Sequence, residues 1–232
     1  MTRIDSYEDL TDNIVGWLKD YYWMHNVKAF VVGVSGGIDS AVVSSLCART
    51  GLPTYVVCMP LESKFENTKL SDAHSKALVE KYDNVKRIEV ELFSAYDSLI
   101  KSIEWWSEAQ HFDRKEFTSS DHAKANTKSR MRMVTLYQIA GSVGGIVVGT
   151  GNKVEDYGVG FYTKYGDGGV DIAPIADLYK TEVWELGEYL EVDQRIVDAD
   201  PTDGLWIDSR SDEEQLGASY AELEEAMETG TG

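Results

Sequence analysis

The segment AFVVGVSGGIDSAVVSSLCART, residues 29–50, is the clearest indication of the fold class. It begins with a β-branched run, AFVVGV (29–34), which is too short for a helix and is typical of a buried strand. The glycine turn SGGIDS follows, and SAVVSSLCART then shows a helical pattern that Gly51 closes. A strand, a glycine-rich turn and a helix in direct succession predict one unit of an α/β fold with a parallel sheet.

The alternation of strands and helices continues outward from this unit. Upstream, Ser6 is a suitable N-cap for an amphipathic helix that carries apolar residues at helical spacing. The predicted helices are 6–25, 40–50, 67–82, 94–106, 123–140, 180–190 and one last acidic helix over 211–227, which begins with a Ser211/Glu214 capping box; the predicted strands are 29–34, 54–59, 85–92 and 144–151. Continuous apolar strands separated by helices predict a doubly wound parallel sheet of about five strands with helices on both faces, although no fifth strand is evident.

Length and charge limit the classes of function. The chain has 232 residues, 43% hydrophobic and 27% charged, which predicts a single globular domain. Its formal net charge of −18 repels phosphate backbones, so nucleic acid is not an expected partner. Cys47 and Cys58 both lie in apolar stretches, which favours buried reduced thiols over a disulfide or a zinc site. We also expect a cytoplasmic protein without membrane contact, because the chain shows neither a signal peptide nor a long apolar run.

The loop GVSGGIDS, Gly33 to Ser40, carries the strongest chemical signal. Between a strand and a helix, glycines let the backbone approach an anion, and the helix N-terminus adds partial positive charge. No lysine precedes Ser40 and the glycine spacing is not GxGxxG, which excludes the two commonest nucleotide loops. A Gly-Gly turn with an N-capping Asp or Ser is the structural alternative, but the strand-to-helix context favours a phosphate site.

The loop resembles the SGGxDS signature of the ATP pyrophosphatase superfamily, whose fold is of the adenine nucleotide alpha hydrolase type. Three further segments, NTKSRMRM (126–133), GTGNKVE (149–155) and FYTKYGDGGVDIAPIADLYKTEV (161–183), resemble the NAD synthetase family in its ammonia-using form. The resemblance runs from about residue 10 to about residue 225. It implies a homodimeric ligase that amidates deamido-NAD to NAD with ammonia and ATP, through an adenylated dinucleotide, and releases AMP and pyrophosphate.

The resemblance also implies roles for individual residues. Asp39 and Glu155 match the family's magnesium ligands, and Asp39 and Lys180 are the expected catalytic residues. The positions that match its deamido-NAD site are Arg130, Lys164 and Asp171. The positions that match its ATP site are Gly33, Val34, Ser35, Gly36, Gly37, Ile38, Asp39, Ser40, Thr150, Lys180 and Thr202. The cofactor implied is Mg²⁺, with ATP as co-substrate.

The chain departs from the family pattern in three places. Glutamine-using members carry an N-terminal glutaminase domain, whereas the first strand predicted here begins at residue 29, so we expect free ammonia, or ammonia from a partner, as the nitrogen source. The segment between Glu155 and Lys164 is one residue longer than in familiar relatives. Members usually end in a basic His-Lys pair, which this sequence lacks. The expected organisation is one synthetase domain over residues 1–232, without the family's C-terminal end and without a glutaminase domain.

Two alternatives remain open. One is another amidating or thiolating ATP pyrophosphatase, although the net charge and the missing cysteine pairs disfavour a tRNA-thiolating enzyme. The other is a catalytically weakened or repurposed nucleotide-binding module, which has little need for both Asp39 and Glu155.

The aromatic residues of the first helix are compatible with core packing or with a dimer interface. The four histidines, His25, His74, His111 and His122, lie outside the motifs and are interpreted as structural or surface residues.

Overall fold

A parallel sheet forms the centre of the computed structural model, which describes residues 4–61, 65–110, 120–202, 204–205 and 211–230. The strands in these ranges are β1 (Phe30–Gly33), β2 (Thr54–Cys58), β3 (Val85–Glu89) and β4 (Ile146–Val148). They lie in the order β3-β2-β1-β4. Because the chain moves outward in opposite directions from β1, the carboxyl ends of β1 and β4 are where a crevice for a ligand is expected.

Helices cover both faces of this sheet. Those in the described ranges are α1 (Tyr7–Met24), α2 (Ile38–Arg49), α3 (Phe65–Lys81), α4 (Phe93–Ala109), α5 (Asp121–Val143), α6 (Lys180–Tyr189), α7 (Gln194–Val197), α8 (Asp212–Leu216) and α9 (Tyr220–Thr229). On one face, Phe30 and Val32 of β1 share an apolar core with α1, α2 and α6. On the other face, Val31 packs with Ala140 of α5. This alternation follows from the two-residue period of a strand, whose successive side chains point to opposite faces.

The predicted doubly wound α/β sheet is confirmed, with four strands in the described ranges rather than about five. Val148 of β4 forms one isolated parallel bridge with Ile172, beyond the last full strand. Residues 151–179 otherwise contain one π-helical turn, Val154–Val159, and irregular structure. The predicted N-cap of α1 is also confirmed, because the Ser6 hydroxyl accepts a hydrogen bond from the Asp9 N–H.

The last acidic helix predicted over residues 211–227 is wrong, because this segment forms two helices. Gly217 ends α8 in the left-handed region, with φ of 76°. This conformation suits glycine and terminates a helix. Ser219 then begins α9 with its own capping box to Glu222, in addition to the predicted box between Ser211 and Glu214.

The burial of both thiols is confirmed, since Cys47 and Cys58 are buried and free. The aromatic residues of α1 divide between core and surface: Tyr22 joins the core, whereas Trp17 and Trp23 are exposed. Within the described ranges, no helix combines the length and apolar character needed to cross a bilayer.

Candidate active site

A cavity of about 510 Å³ opens at the carboxyl ends of β1 and β4, where the fold predicts a crevice. The whole loop from Gly33 to Ser40 lines it, together with Thr150, Glu155, Lys180 and Thr202. Every residue that the sequence assigned to ATP or to the metal therefore faces one cavity. The sequence order alone does not predict this, since these residues come from four separate segments of the chain.

The glycine loop is held by its own serines. The Ser40 hydroxyl donates to the Gly37 carbonyl at 2.9 Å and accepts from the Ser35 N–H at 3.2 Å. Gly36 has φ of 96°, a conformation that side chains disfavour. Gly37 is the N-cap of α2 and provides no capping side chain, so the start of this helix is open toward an anion in the cavity.

Lys180, the first residue of α6, lies between the two predicted metal ligands. Its Nζ is 2.6 Å from Asp39 Oδ2 and 2.9 Å from Glu155 Oε1. The lysine side chain is only 3% exposed, and both carboxylates are 17% exposed. One cationic nitrogen thus neutralises part of the charge of two carboxylates that different loops contribute.

Two further residues hold these carboxylates in place. The Asn152 amide donates to Asp39 Oδ1 at 3.0 Å, and its oxygen accepts the N–H groups of Val154 and Glu155, both at 3.1 Å. The Tyr220 hydroxyl donates to Glu155 Oε1 at 2.7 Å. Tyr220 comes from α9, so the last helix of the fold contributes directly to this cluster.

The pKa values in the cluster follow from burial and from the shared lysine. Burial raises the pKa of the Asp39 carboxyl, and the Glu155 charge adds to this effect while Lys180 opposes it. Burial also raises the pKa of Glu155, but the Lys180 ammonium and the hydrogen bond from Tyr220 outweigh it and leave the pKa below its ordinary value. Burial alone lowers the pKa of Lys180, whereas the two carboxylates raise it above its ordinary value. The two carboxylates thus favour the protonated, cationic form of the lysine.

The donor set of Asp39 and Glu155 fits a magnesium ion. Both carboxylates reach the same cationic nitrogen, so they converge on one position that favours positive charge. Across the described parts of the chain, no group of three or more histidine, cysteine or acidic residues forms a metal site. A cation held here would complete its coordination with water and nucleotide phosphates, as Mg²⁺ usually does.

The three residues predicted to bind deamido-NAD lie outside the lining of this cavity. Arg130 and Lys164 are exposed neighbours, and the Arg130 Nε donates to the Lys164 carbonyl at 3.0 Å. Asp171 lies elsewhere on the surface, where it accepts from the Tyr137 hydroxyl at 3.2 Å and from the Val147 N–H at 2.7 Å. The fold of one chain brings together the predicted ATP and metal residues but separates these three from them.

Hydrogen bonds hold the TKYGDGG segment against α5. The Ser129 hydroxyl donates to Asp167 Oδ1 at 2.6 Å, and the Asp167 N–H donates back to the same hydroxyl oxygen at 3.0 Å. A Cβ atom on Gly166 would lie only 2.2 Å from Ser129 Oγ, so a glycine is required for this close approach. Close packing against α5 thus explains the particular sequence of this segment.

Sequence reasoning missed several residues of the site. Asn152 lies in the GTGNKVE motif, and its position directly after a predicted strand could have indicated a site residue. Tyr220 had no local signal, since it lies in a different helix from every motif. His122 is an exposed residue at the cavity lining, whereas His74 is buried beside Ser44. His111 lies outside the described residues.

Comparison with known proteins decides the family. The family model described as NAD synthase matches residues 10–231. The chain belongs to the NAD synthase family. It is 36% identical over 228 residues to the NH(3)-dependent NAD(+) synthetase of Carboxydothermus hydrogenoformans, which covers 98% of this chain and 88% of that protein.

Two solved structures are similar to this member of the NAD synthase family. An NMN synthetase from Francisella tularensis superposes with a TM-score of 0.85 at 33% identity, covering 97% of this chain and 87% of that one. An NH3-dependent NAD synthetase from Campylobacter jejuni superposes with a TM-score of 0.73 at 26% identity, covering 97% of this chain and 85% of that one. The family assignment confirms the resemblance that the TKYGDGG and GTGNKVE segments indicated.

Proposed function

We propose that this chain amidates deamido-NAD to NAD with ammonia and ATP; two curated relatives carry the name NH(3)-dependent NAD(+) synthetase. The observation that carries the proposal is the position of Lys180 between Asp39 and Glu155, beside the glycine loop and in the lining of the cavity. A ligase of this class must stabilise a departing pyrophosphate, and this cluster concentrates the required groups.

The first step is adenylation of the substrate carboxylate. A carboxylate oxygen of the nicotinate ring attacks the α-phosphorus of ATP, the bond between that phosphorus and the bridging oxygen breaks, and pyrophosphate leaves. The residues Gly33 to Ser40 hold the phosphates through backbone N–H groups, and Lys180 offsets the growing negative charge. In this proposal Thr150 and Thr202, which also line the cavity, complete the ATP site.

The second step is attack by ammonia on the activated carbonyl. The new C–N bond forms, AMP leaves with the oxygen of the former carboxylate, and a proton from the nitrogen passes to solvent. In this proposal Asp39 and Glu155 hold Mg²⁺, which when bound supplies charge neutralisation to the phosphates. The chain's own contribution is to position both substrates and to limit water in the cavity.

The proposal assigns Arg130, Lys164 and Asp171 to the deamido-NAD site. The three residues are exposed and lie outside the cavity lining, so in this proposal they contact a part of the dinucleotide that extends from the cavity. A homodimer with the dinucleotide at its interface, which the resemblance implies, accommodates this position. A cytoplasmic location, where ATP is available, belongs to the same proposal.

A second candidate substrate is the deamidated form of NMN. The observation that favours it is the greater structural similarity to the Francisella tularensis NMN synthetase, with a TM-score of 0.85 against 0.73 for the Campylobacter jejuni enzyme. The chemistry at the nicotinate carboxylate is the same for both substrates. They differ only in whether an adenylate half is attached, so the residues outside the cavity decide between them.

One assay tests both candidates. The purified chain is supplied with ATP, Mg²⁺ and ammonium, and with either deamido-NAD or its mononucleotide counterpart, while NAD, NMN and pyrophosphate are measured. A higher kcat/KM for deamido-NAD supports the first proposal, and a higher kcat/KM for the mononucleotide supports the second. Replacing ammonium by glutamine is the control for the nitrogen source. Pyrophosphate release that depends on neither substrate contradicts both.

Substitutions test the proposed metal site and the proposed dinucleotide site separately. Asp39→Asn and Glu155→Gln each remove one proposed metal ligand, and each is expected to lower turnover about 100-fold. Arg130→Ala is expected to raise the KM for deamido-NAD. If Arg130→Ala folds normally and raises neither this KM nor that of the mononucleotide, the proposed dinucleotide site is misplaced.

A further inference from the structure

Asn152 connects the two loops that carry the proposed metal ligands. It is completely buried, and its side chain bonds both to Asp39, 113 positions earlier, and to the backbone of Glu155. Asp39 follows β1 and Glu155 follows β4, which are adjacent parallel strands. One amide group therefore spans the carboxyl ends of two adjacent strands.

The chemistry of an amide suits both ends of this bridge. Its NH₂ group faces the Asp39 carboxylate, which only accepts hydrogen bonds, and its oxygen faces two backbone N–H groups, which only donate. A flipped amide would oppose acceptor to acceptor and donor to donor. An aspartate at this position would place a second charge against Asp39. Asparagine is thus the residue type whose hydrogen-bonding groups match both sides.

The bridge also sets the direction of each ligand. Asn152 binds Oδ1 of Asp39, which leaves Oδ2 directed to the Lys180 ammonium. By holding the N–H of Glu155, the same side chain fixes the start of the π-helical turn from which Glu155 reaches that ammonium. Removing Asn152 would free the rotation of one carboxylate and the backbone of the other.

We propose that Asn152 is the positioning residue that holds Asp39 and Glu155 in the geometry required to bind a divalent cation with ATP. The inference rests on the proposed metal site, and it concerns a residue that acts through its neighbours and does not line the cavity itself. Partners that orient metal ligands typically change metal affinity 10–100-fold when they are removed.

The test measures binding of Mn²⁺ together with a non-hydrolysable α,β-methylene analogue of ATP, by electron paramagnetic resonance, so that it does not depend on turnover. Three variants are compared with the wild type. Asn152→Ala removes both ends of the bridge. Asn152→Ser keeps a hydroxyl that can accept the backbone N–H groups of the turn but cannot reach Asp39. Asn84→Ala is the matched control, since the Asn84 amide bonds only to the carbonyls of Ala48 and Leu52 in the described contacts, away from the cavity.

The proposal predicts that Asn152→Ala and Asn152→Ser both weaken Mn²⁺ binding about tenfold or more, and that both raise the Mg²⁺ concentration giving half-maximal rate. Asn84→Ala is expected to bind Mn²⁺ like the wild type, even where its free energy of unfolding falls. Wild-type affinity in Asn152→Ser would overturn the inference, because it would reduce Asn152 to a cap of the turn. An equal loss of affinity in Asn84→Ala would also overturn it, since the effect would then be general destabilisation.

The same measurements separate this inference from the proposed reaction. A wild-type chain that binds Mn²⁺ with the analogue but forms neither NAD nor NMN would reject the reaction alone. The effect of Asn152→Ser on Mn²⁺ binding would then still decide the inference. A wild-type chain that binds no Mn²⁺ with the analogue would overturn the inference together with the metal site.

Discussion

The ammonium of Lys180 lies 2.6 Å from Asp39 Oδ2, although 141 positions separate the two residues in the chain. Glu155 binds the same ammonium from a third segment. In the absence of substrates, the lysine neutralises part of the negative charge of the two carboxylates, which a bound metal and nucleotide would encounter. The cluster is consequently important both for stability and for the proposed chemistry.

Lys180→Met is expected to lower the free energy of unfolding by about 3 kcal/mol, because it leaves two buried carboxylates without their cation. Protonation of one carboxyl limits this loss. The measurement is urea unfolding in the presence of a chelator, with Lys101→Met as control, since Lys101 is exposed and pairs only with Asp97 in the described contacts. Added Mg²⁺ should stabilise Lys180→Met more than the wild type. A free energy of unfolding equal to that of Lys101→Met would contradict the prediction.

Tyr220→Phe removes the hydroxyl that bonds to Glu155 and is expected to lower kcat several-fold, because the carboxylate loses a hydrogen-bond donor. Tyr7→Phe is a matched control, since the Tyr7 hydroxyl donates to Glu185 at 2.6 Å, away from the cavity lining. Each substitution should cost about 1 kcal/mol of stability. Steady-state kinetics then distinguish the two: an equal kcat in both variants would show that Tyr220 has no role in the reaction.

Gly166→Ala tests the close contact between the TKYGDGG segment and α5. The added Cβ would lie 2.2 Å from Ser129 Oγ, and relieving this clash is expected to cost about 1–3 kcal/mol. Gly16→Ala provides the opposite case, because no atom lies within 4 Å of its added Cβ and alanine favours a helix. Thermal unfolding should therefore show a lower Tm for Gly166→Ala and a higher one for Gly16→Ala. An unchanged Tm in Gly166→Ala would refute the contact.

His74 makes stability depend on pH. Burial lowers its pKa to about 4, whereas an unfolded histidine titrates near 6.5. Between these values the unfolded chain binds more protons, so the contribution of His74 to stability is complete above about pH 6.5 and is lost as the pH falls toward 4.

Between pH 7 and pH 5, the wild type should lose about 2 kcal/mol more of its free energy of unfolding than His74→Gln does. Urea unfolding at the two pH values measures this difference. His25→Gln alters an exposed histidine and should behave like the wild type. Parallel losses in the wild type and His74→Gln would show that His74 does not titrate as described.

Local patterns explain most of what the sequence predicted correctly. The run 29–50 forms a strand, a turn and a helix because β-branched residues, glycines and helix formers each favour one backbone conformation within a few residues. Caps such as Ser6 are equally local. The last acidic helix was mistaken because helical spacing continues on both sides of Gly217, while the left-handed conformation of that one residue ends α8.

The α/β class, the glycine loop and the family could be predicted from residue order, because they depend on short motifs and on periodicity. The bridge of Asn152 from Asp39 to Glu155, the approach of Tyr220 to the same cluster and the set of matched residues that line the cavity became known only from the folded chain. Such contacts join segments far apart in the chain, and their geometry is set by how the strands and helices pack together. A residue whose role is to position another side chain leaves no recognisable pattern in the local sequence.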